Sequence, residues 1–165
     1  MTLSKRWYAL AAAVVLADQA VKALVGGLTQ PVVLIPGVLQ LTYAENTGMA
    51  FSLLAGNSWL LGVFSLVCMA AGWLVLRRYR LGPVSRASAM LMLGGAAGNA
   101  LDRLIRGYVI DMFEVLFVRF AVFNVADAAL TVGTGLMALS LLVCAEDWKD
   151  KQEDTKDGAD GSAAD

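Results

Sequence analysis

The sequence predicts an all-α membrane protein, four transmembrane helices with a small β-containing loop region on the extracytoplasmic side. Of its 165 residues 58% are hydrophobic and 16% are charged, and the mean hydropathy is +0.64. The apolar residues also gather into four blocks, and a helix needs ~20 such residues to cross ~30 Å of hydrocarbon.

Block one runs from Trp7 to Val25 and is interrupted by Asp18 and Lys22, four apart and able to pair along one helix face. Lys5 and Arg6 before an apolar run imitate a cleavable leader. Asp18 would then fall in the cleavage region, and the run continues through Leu24, so the block reads as a retained span. Residues 26–58 form a first outer loop, in which Leu39-Gln40-Leu41-Thr42-Tyr43 alternates as a short strand does. Block two spans Trp59 to Leu76. After a short link comes block three, Ala87 to Leu101, which ends directly in Asp102 and Arg103. In the second outer loop, Tyr108, Phe113, Phe117 and Phe120 suit a segment lying along the membrane surface between residues 105 and 120. Block four runs from Val125 to Ala145. Residues 1–147 are thus expected to form one transmembrane domain, and 148–165, with little to bury, a disordered acidic tail.

Charge placement orients the spans. Arg77, Arg78, Arg80 and Arg86 fill the link between blocks two and three, whereas residues 26–58 contain no Lys or Arg. The positive-inside rule then puts both termini in the cytoplasm, although Arg103, Arg106 and Arg119 lie on the opposite side.

The composition also excludes chemistry. A net charge of −1 with scattered basic residues argues against a nucleic-acid partner. No histidine is present, which removes serine–histidine and cysteine–histidine nucleophiles and histidine zinc sites. Cys68 and Cys144 fall inside blocks two and four and read as packing residues. Neither a metal nor an organic cofactor is expected.

Carboxylates remain. Of the fourteen acids, eight follow residue 145, and the other six are Asp18, Glu45, Asp102, Asp111, Glu114 and Asp127. The topology gathers these six near the outer face, the pattern of a site at one interface rather than of an ion path. Asp111 and Asp127 both have apolar neighbours. If they meet, desolvation and repulsion make them share a proton, one acting as base and the other as acid on a water attacking a peptide carbonyl. Spacing alone leaves a second reading open, in which the same residues tie loop to helix in a proton-coupled transporter or an assembly factor.

Three polar clusters interrupt the apolar pattern: Glu45-Asn46-Thr47-Gly48-Met49-Ala50-Phe51-Ser52, Gly94-Gly95-Ala96-Ala97-Gly98-Asn99-Ala100-Leu101-Asp102-Arg103, and Phe123-Asn124-Val125-Ala126-Asp127. Taken in this order, with Val109-Ile110-Asp111-Met112-Phe113 between the last two, they closely resemble the lipoprotein signal peptidase family, also called signal peptidase II. The resemblance extends from Asp18 to the end of block four. It implies a bacterial inner-membrane aspartic endopeptidase, active near the outer face, that cleaves diacylglyceryl-modified prolipoproteins before the lipidated cysteine. It implies Asp111 and Asp127 as the catalytic pair. Asn46, Asn99, Arg103 and Asn124 would hold substrate or organise the site, and Asp18, Gly95 and Asp102 would support it. The expected partners are lipidated precursors and membrane lipids, and the expected state is a monomer. Two positions depart from the family pattern: Phe120-Ala121 stands where the family usually has an aromatic residue followed by proline, and Ala128 where a serine often follows the aspartate.

Overall fold

The computed structural model describes residues 5–48, 57–143 and 148–150. Four helices dominate: α1 (Lys5–Val25), α2 (Ser58–Leu76), α3 (Pro83–Ile105) and α4 (Val125–Val143). Among the described residues three of them, α1, α2 and α4, are long and apolar enough to cross a membrane.

The third block is the one the sequence delimited least well, because α3 begins and ends about a turn beyond Ala87–Leu101. Pro83 opens it, where the missing N–H costs no helical bond. At the other end Arg106 closes it, followed by Gly107 at φ +80°, the left-handed stop that glycine adopts without strain. At 23 residues α3 could span ~34 Å at 1.5 Å per residue, yet it is not one of the three strongly apolar helices. Its position in the bundle supplies the reason. α3 packs against α1, α2 and α4, and the side it buries carries Ser85, Ser88, Gly94, Gly95, Gly98, Asn99 and Asp102. A helix enclosed by other helices can hold small and polar residues that a lipid-facing one cannot.

Two of these glycines set how closely the helices approach. A Cβ on Gly95 would stand 2.4 Å from the Ala126 carbonyl oxygen of α4, and one on Gly98 would stand 2.8 Å from Asp18 Oδ2 of α1. α2 is more peripheral. It buries only Ser58, Leu61 and Gly62. Cys68 consequently faces outward, so the expectation that it packs in a core is corrected, while Cys144 lies outside the described residues.

Among the described residues there are also five strands: β1 (Val32–Ile35), β2 (Leu39–Asn46), β3 (Tyr79–Leu81), β4 (Val109–Val115) and β5 (Trp148–Asp150). The alternating stretch at Leu39 is a strand as expected, and it extends to Asn46. The second outer loop differs from expectation, since its middle is β4, paired antiparallel with β2 in a sheet of order β1-β2-β4. No alternation announces β4, because Val109, Ile110, Asp111 and Met112 are buried in succession. The apolar cluster of Val25, Ile110 and Met112, with Val21, Leu28, Leu41 and Tyr43 around it, seats the sheet on the end of α1.

β3 and β5 form a second, two-stranded sheet. Trp148 packs edge-on against Tyr79 at 5.5 Å and donates its indole N–H to Ser140 Oγ at 3.3 Å. The first three residues of the expected disordered tail are therefore paired, and residues 151–165 lie outside the described ones.

Candidate active site

The register of β2 on β4 brings the first polar cluster to the first carboxylate. Asn46 pairs with Val109, which puts its side chain diagonally beside Asp111, and Asn46 Nδ2 donates to Asp111 Oδ2 at 3.0 Å. Asn46 Oδ1 in turn accepts the Gly48 N–H at 3.1 Å, which fixes the amide's orientation.

The chain returns from β4 through Phe123, whose N–H donates to the Phe113 carbonyl at 3.1 Å and whose carbonyl accepts the Phe113 N–H at 2.8 Å. Phe120 stacks edge-on against Phe123 at 5.9 Å, so the turn closes with Phe120-Ala121 in place of the usual proline pair. Next in sequence, Asn124 is placed beside Asp111 and begins α4. Its side chain accepts the Asp127 N–H at 2.8 Å, and the Asp127 carboxylate accepts the Asn124 N–H at 3.3 Å. This reciprocal capping box fixes the second carboxylate in the first turn of the helix. Asn124 Nδ2 also donates to Asp111 Oδ1 at 2.6 Å. One residue thus binds both acids.

Asn99 of α3 supplies the third amide, donating from Nδ2 to Asp127 Oδ1 at 2.7 Å. Its Oδ1 accepts from Asn124 Nδ2 at 3.1 Å and from Lys22 Nζ at 3.2 Å. Burial, and secondarily the charge of Asp127, push the Asp111 carboxyl up to about 6, against the opposing pull of the Asn46 and Asn124 amides.

Behind this layer lies an ionic one. Lys22 Nζ stands 2.7 Å from Asp18 Oδ2 and 2.7 Å from Asp102 Oδ2, and all three side chains are fully buried. The α1 pair expected from spacing is therefore present and holds a third member from α3. Asp18 Oδ1 accepts the Ala126 N–H at 2.9 Å, capping α4 from outside that helix. Asp102 also pairs with Arg106 and accepts Gln19 Nε2 at 3.0 Å. Arg103 donates to the Gly48 carbonyl at 3.1 Å, holding a main-chain carbonyl of its own first loop.

Of the six acids singled out in the sequence, Asp18, Asp102, Asp111 and Asp127 join in one hydrogen-bonded network. Glu45 and Glu114 stand apart on the sheet, where they accept from Tyr43 Oη at 2.8 Å and from Gln40 Nε2 at 2.7 Å. Gly95 takes no polar part and serves the helix contact. Sequence reasoning does not single out Gln19 as a site residue, and it reads Lys22 as a partner for Asp18. Two such polar residues beside Asp18 inside an apolar span were the available signal.

The arrangement presents one buried carboxylate, Asp111, and one partly buried, Asp127, held by three asparagine amides, which cannot titrate and so fix geometry without exchanging protons. A family model described as signal peptidase (SPase) II matches residues 10–143. The lipoprotein signal peptidase of Latilactobacillus sakei subsp. sakei is 41% identical over 110 residues, covering 66% of this chain and 73% of that protein. The one from Lactiplantibacillus plantarum is 35% identical over 136 residues, 81% of this chain and 91% of that protein. Among solved structures, one described as a bacterial membrane enzyme at 2.3 Å resolution superposes with a TM-score of 0.78 at 25% identity, covering 89% of this chain and 93% of that one.

Proposed function

The chain belongs to the signal peptidase II family, and on that premise we propose that Asp111 and Asp127 are the pair through which it cuts. It is an aspartic protease that removes signal peptides from prolipoproteins, cleaving before the lipidated cysteine. The observation that carries the assignment is the convergence of Asn46, Asn99 and Asn124 on these two carboxylates. With one proton shared between them, the ionised member takes a proton from water as its oxygen attacks the scissile carbonyl, while the protonated member donates to the carbonyl oxygen. Collapse of the tetrahedral intermediate breaks the C–N bond: the proton taken from water passes to the leaving nitrogen, and the hydroxyl made from the carbonyl oxygen returns its proton to the aspartate that gave it, restoring the pair. The pair titrates as a unit.

α3 acts as the fourth span. Its buried, polar side supports this reading, because it is satisfied by neighbouring helices rather than exposed to lipid. Both termini lie in the cytoplasm, and the site lies near the outer face of the inner membrane. The arginine-rich link after α2 and the absence of Lys and Arg from residues 26–58 support that sidedness. Substrate arrives with its diacylglyceryl anchor in the lipid, so the scissile bond is presented at the interface, and one copy of the chain contains every residue assigned here.

The test is cleavage of a lipidated precursor by the purified protein, its Asp111→Asn variant and its Asp127→Asn variant. Loss of turnover in both, with folding intact, is expected. Near-normal turnover in either one rejects the pair.

A further inference from the structure

Lys22 makes one contact more than neutralising its neighbours requires. Asp18 and Asp102 are balanced by Lys22 and Arg106, so the buried cluster is already neutral. Lys22 nevertheless also donates to Asn99 Oδ1, 3.2 Å away. Its ammonium thus faces three oxygens, those of Asp18, Asp102 and Asn99.

That third bond decides which end of the Asn99 amide meets Asp127. Asn99 Oδ1 is held by two donors, Lys22 Nζ and Asn124 Nδ2, which leaves only Nδ2 to face the Asp127 carboxylate at 2.7 Å. Rotating the amide by half a turn would set its NH2 against an ammonium and another NH2, and its oxygen against a carboxylate. Lys22 therefore both forbids the flipped amide and polarises the correct one toward the acid.

We propose that Lys22 is a positioning residue for peptide cleavage, acting on Asp127 through the side-chain amide of Asn99. The inference rests on the assignment of Asp127 to the catalytic pair. Lys22 does not touch substrate. The charged groups facing Asp127 are Asp111 from β4, Lys22 and Asp18 from α1, and Arg103 from α3. Of the two cations, Lys22 is the one joined to Asp127 through a hydrogen-bonded amide.

The experiment uses the full chain in bilayer or detergent, with a lipidated precursor as substrate. Lys22→Met is combined with Asp102→Asn, which keeps the cluster neutral by leaving Asp18 with Arg106, and is compared with Asp102→Asn alone. The double variant is expected to lose kcat by on the order of tenfold at nearly unchanged KM, less than the ~100-fold typical of removing a directly bonded donor. Its acidic limb is expected to move up by about one pH unit, because the ionised pair has lost a supporting cation. A kcat and pH profile equal to those of Asp102→Asn overturns the proposal. If the double variant does not fold, Lys22→Arg decides, since it keeps the charge but displaces the donor. A lower kcat with an unmoved acidic limb supports the proposal, and a wild-type kcat overturns it. Asp127→Asn is assayed alongside. Full activity there rejects the catalytic pair itself, whereas an inactive Asp127→Asn beside indifferent Lys22 variants rejects only the role of Lys22.

Discussion

Asn124 donates its side-chain amide to Asp111 at 2.6 Å while its backbone N–H and side-chain oxygen engage Asp127, so one fully buried residue sets the relation between the two acids. Replacing it removes a helix cap and an orienting donor together. Asn124→Ala is expected to cost about 1–2 kcal/mol of stability as a lost cap. It is also expected to lower kcat by roughly 100-fold, as loss of a directly bonded donor does. Asn124→Ser should recover much of the melting temperature, because serine caps helices, but little of the activity, because its hydroxyl is too short to reach Asp111 as well. Thermal melts and precursor cleavage on the same samples check this.

Gly95→Ala and Gly98→Ala should both destabilise the bundle, by different routes. The Gly95 methyl would meet the Ala126 carbonyl, which is backbone and cannot turn aside. Overpacking of this kind costs about 1–3 kcal/mol. The Gly98 methyl would displace the Asp18 carboxylate from Lys22 and from the Ala126 N–H, so activity is expected to fall further than stability does. Comparing melting temperature with kcat across the two variants separates these routes.

Asp18→Asn keeps an oxygen for the Ala126 N–H but loses the charge that faces Lys22. Breaking a buried pair from one side costs about 3–5 kcal/mol, reduced here because Asp102 remains. The variant should unfold at lower temperature yet retain measurable cleavage, unlike Asp111→Asn. A complete loss of turnover with unchanged melting would move Asp18 into the reaction itself.

Asp111 gives a pH dependence whose sign is fixed by burial. Its carboxyl is raised in the folded chain to about 6, so its contribution to stability is fully present below the ordinary carboxylate range, near pH 4, and is lost as pH rises through 6. The loss is of order 3 kcal/mol. Stability measured from pH 4 to pH 8 should therefore decline in the wild type, and Asp111→Asn should lack this component. Over the same range kcat/KM of the free enzyme should fall on the alkaline side, as the pair loses its shared proton.

The C-terminus offers a simpler comparison. Truncation after Asp150 should leave melting and cleavage unchanged, whereas truncation after Asp147 removes Trp148 from Tyr79 and from Ser140. The longer deletion is expected to lower the melting temperature by a few degrees without altering kcat, since β3 and β5 lie apart from the carboxylates.

The sequence by itself determined the helices and the chemistry. Runs of apolar residues specify helices because an unpaired backbone cannot remain in hydrocarbon, and a chain without histidine, with few acids in or near its spans, leaves carboxylates to do the work. The family motif then singled out Asp111 and Asp127. Tertiary structure alone decided what surrounds them. β4 was hidden because its residues are buried in succession, which erases the two-residue period that marks a half-exposed strand. The bond from Lys22 to Asn99 links residues 77 apart, and that from Asn46 to Asp111 links residues 65 apart. Local pattern carries no information about such pairs. They arise because Gly95 admits the α4 backbone and Gly98 the Asp18 carboxylate of α1, and because the register of β2 on β4 sets one asparagine diagonally beside one aspartate.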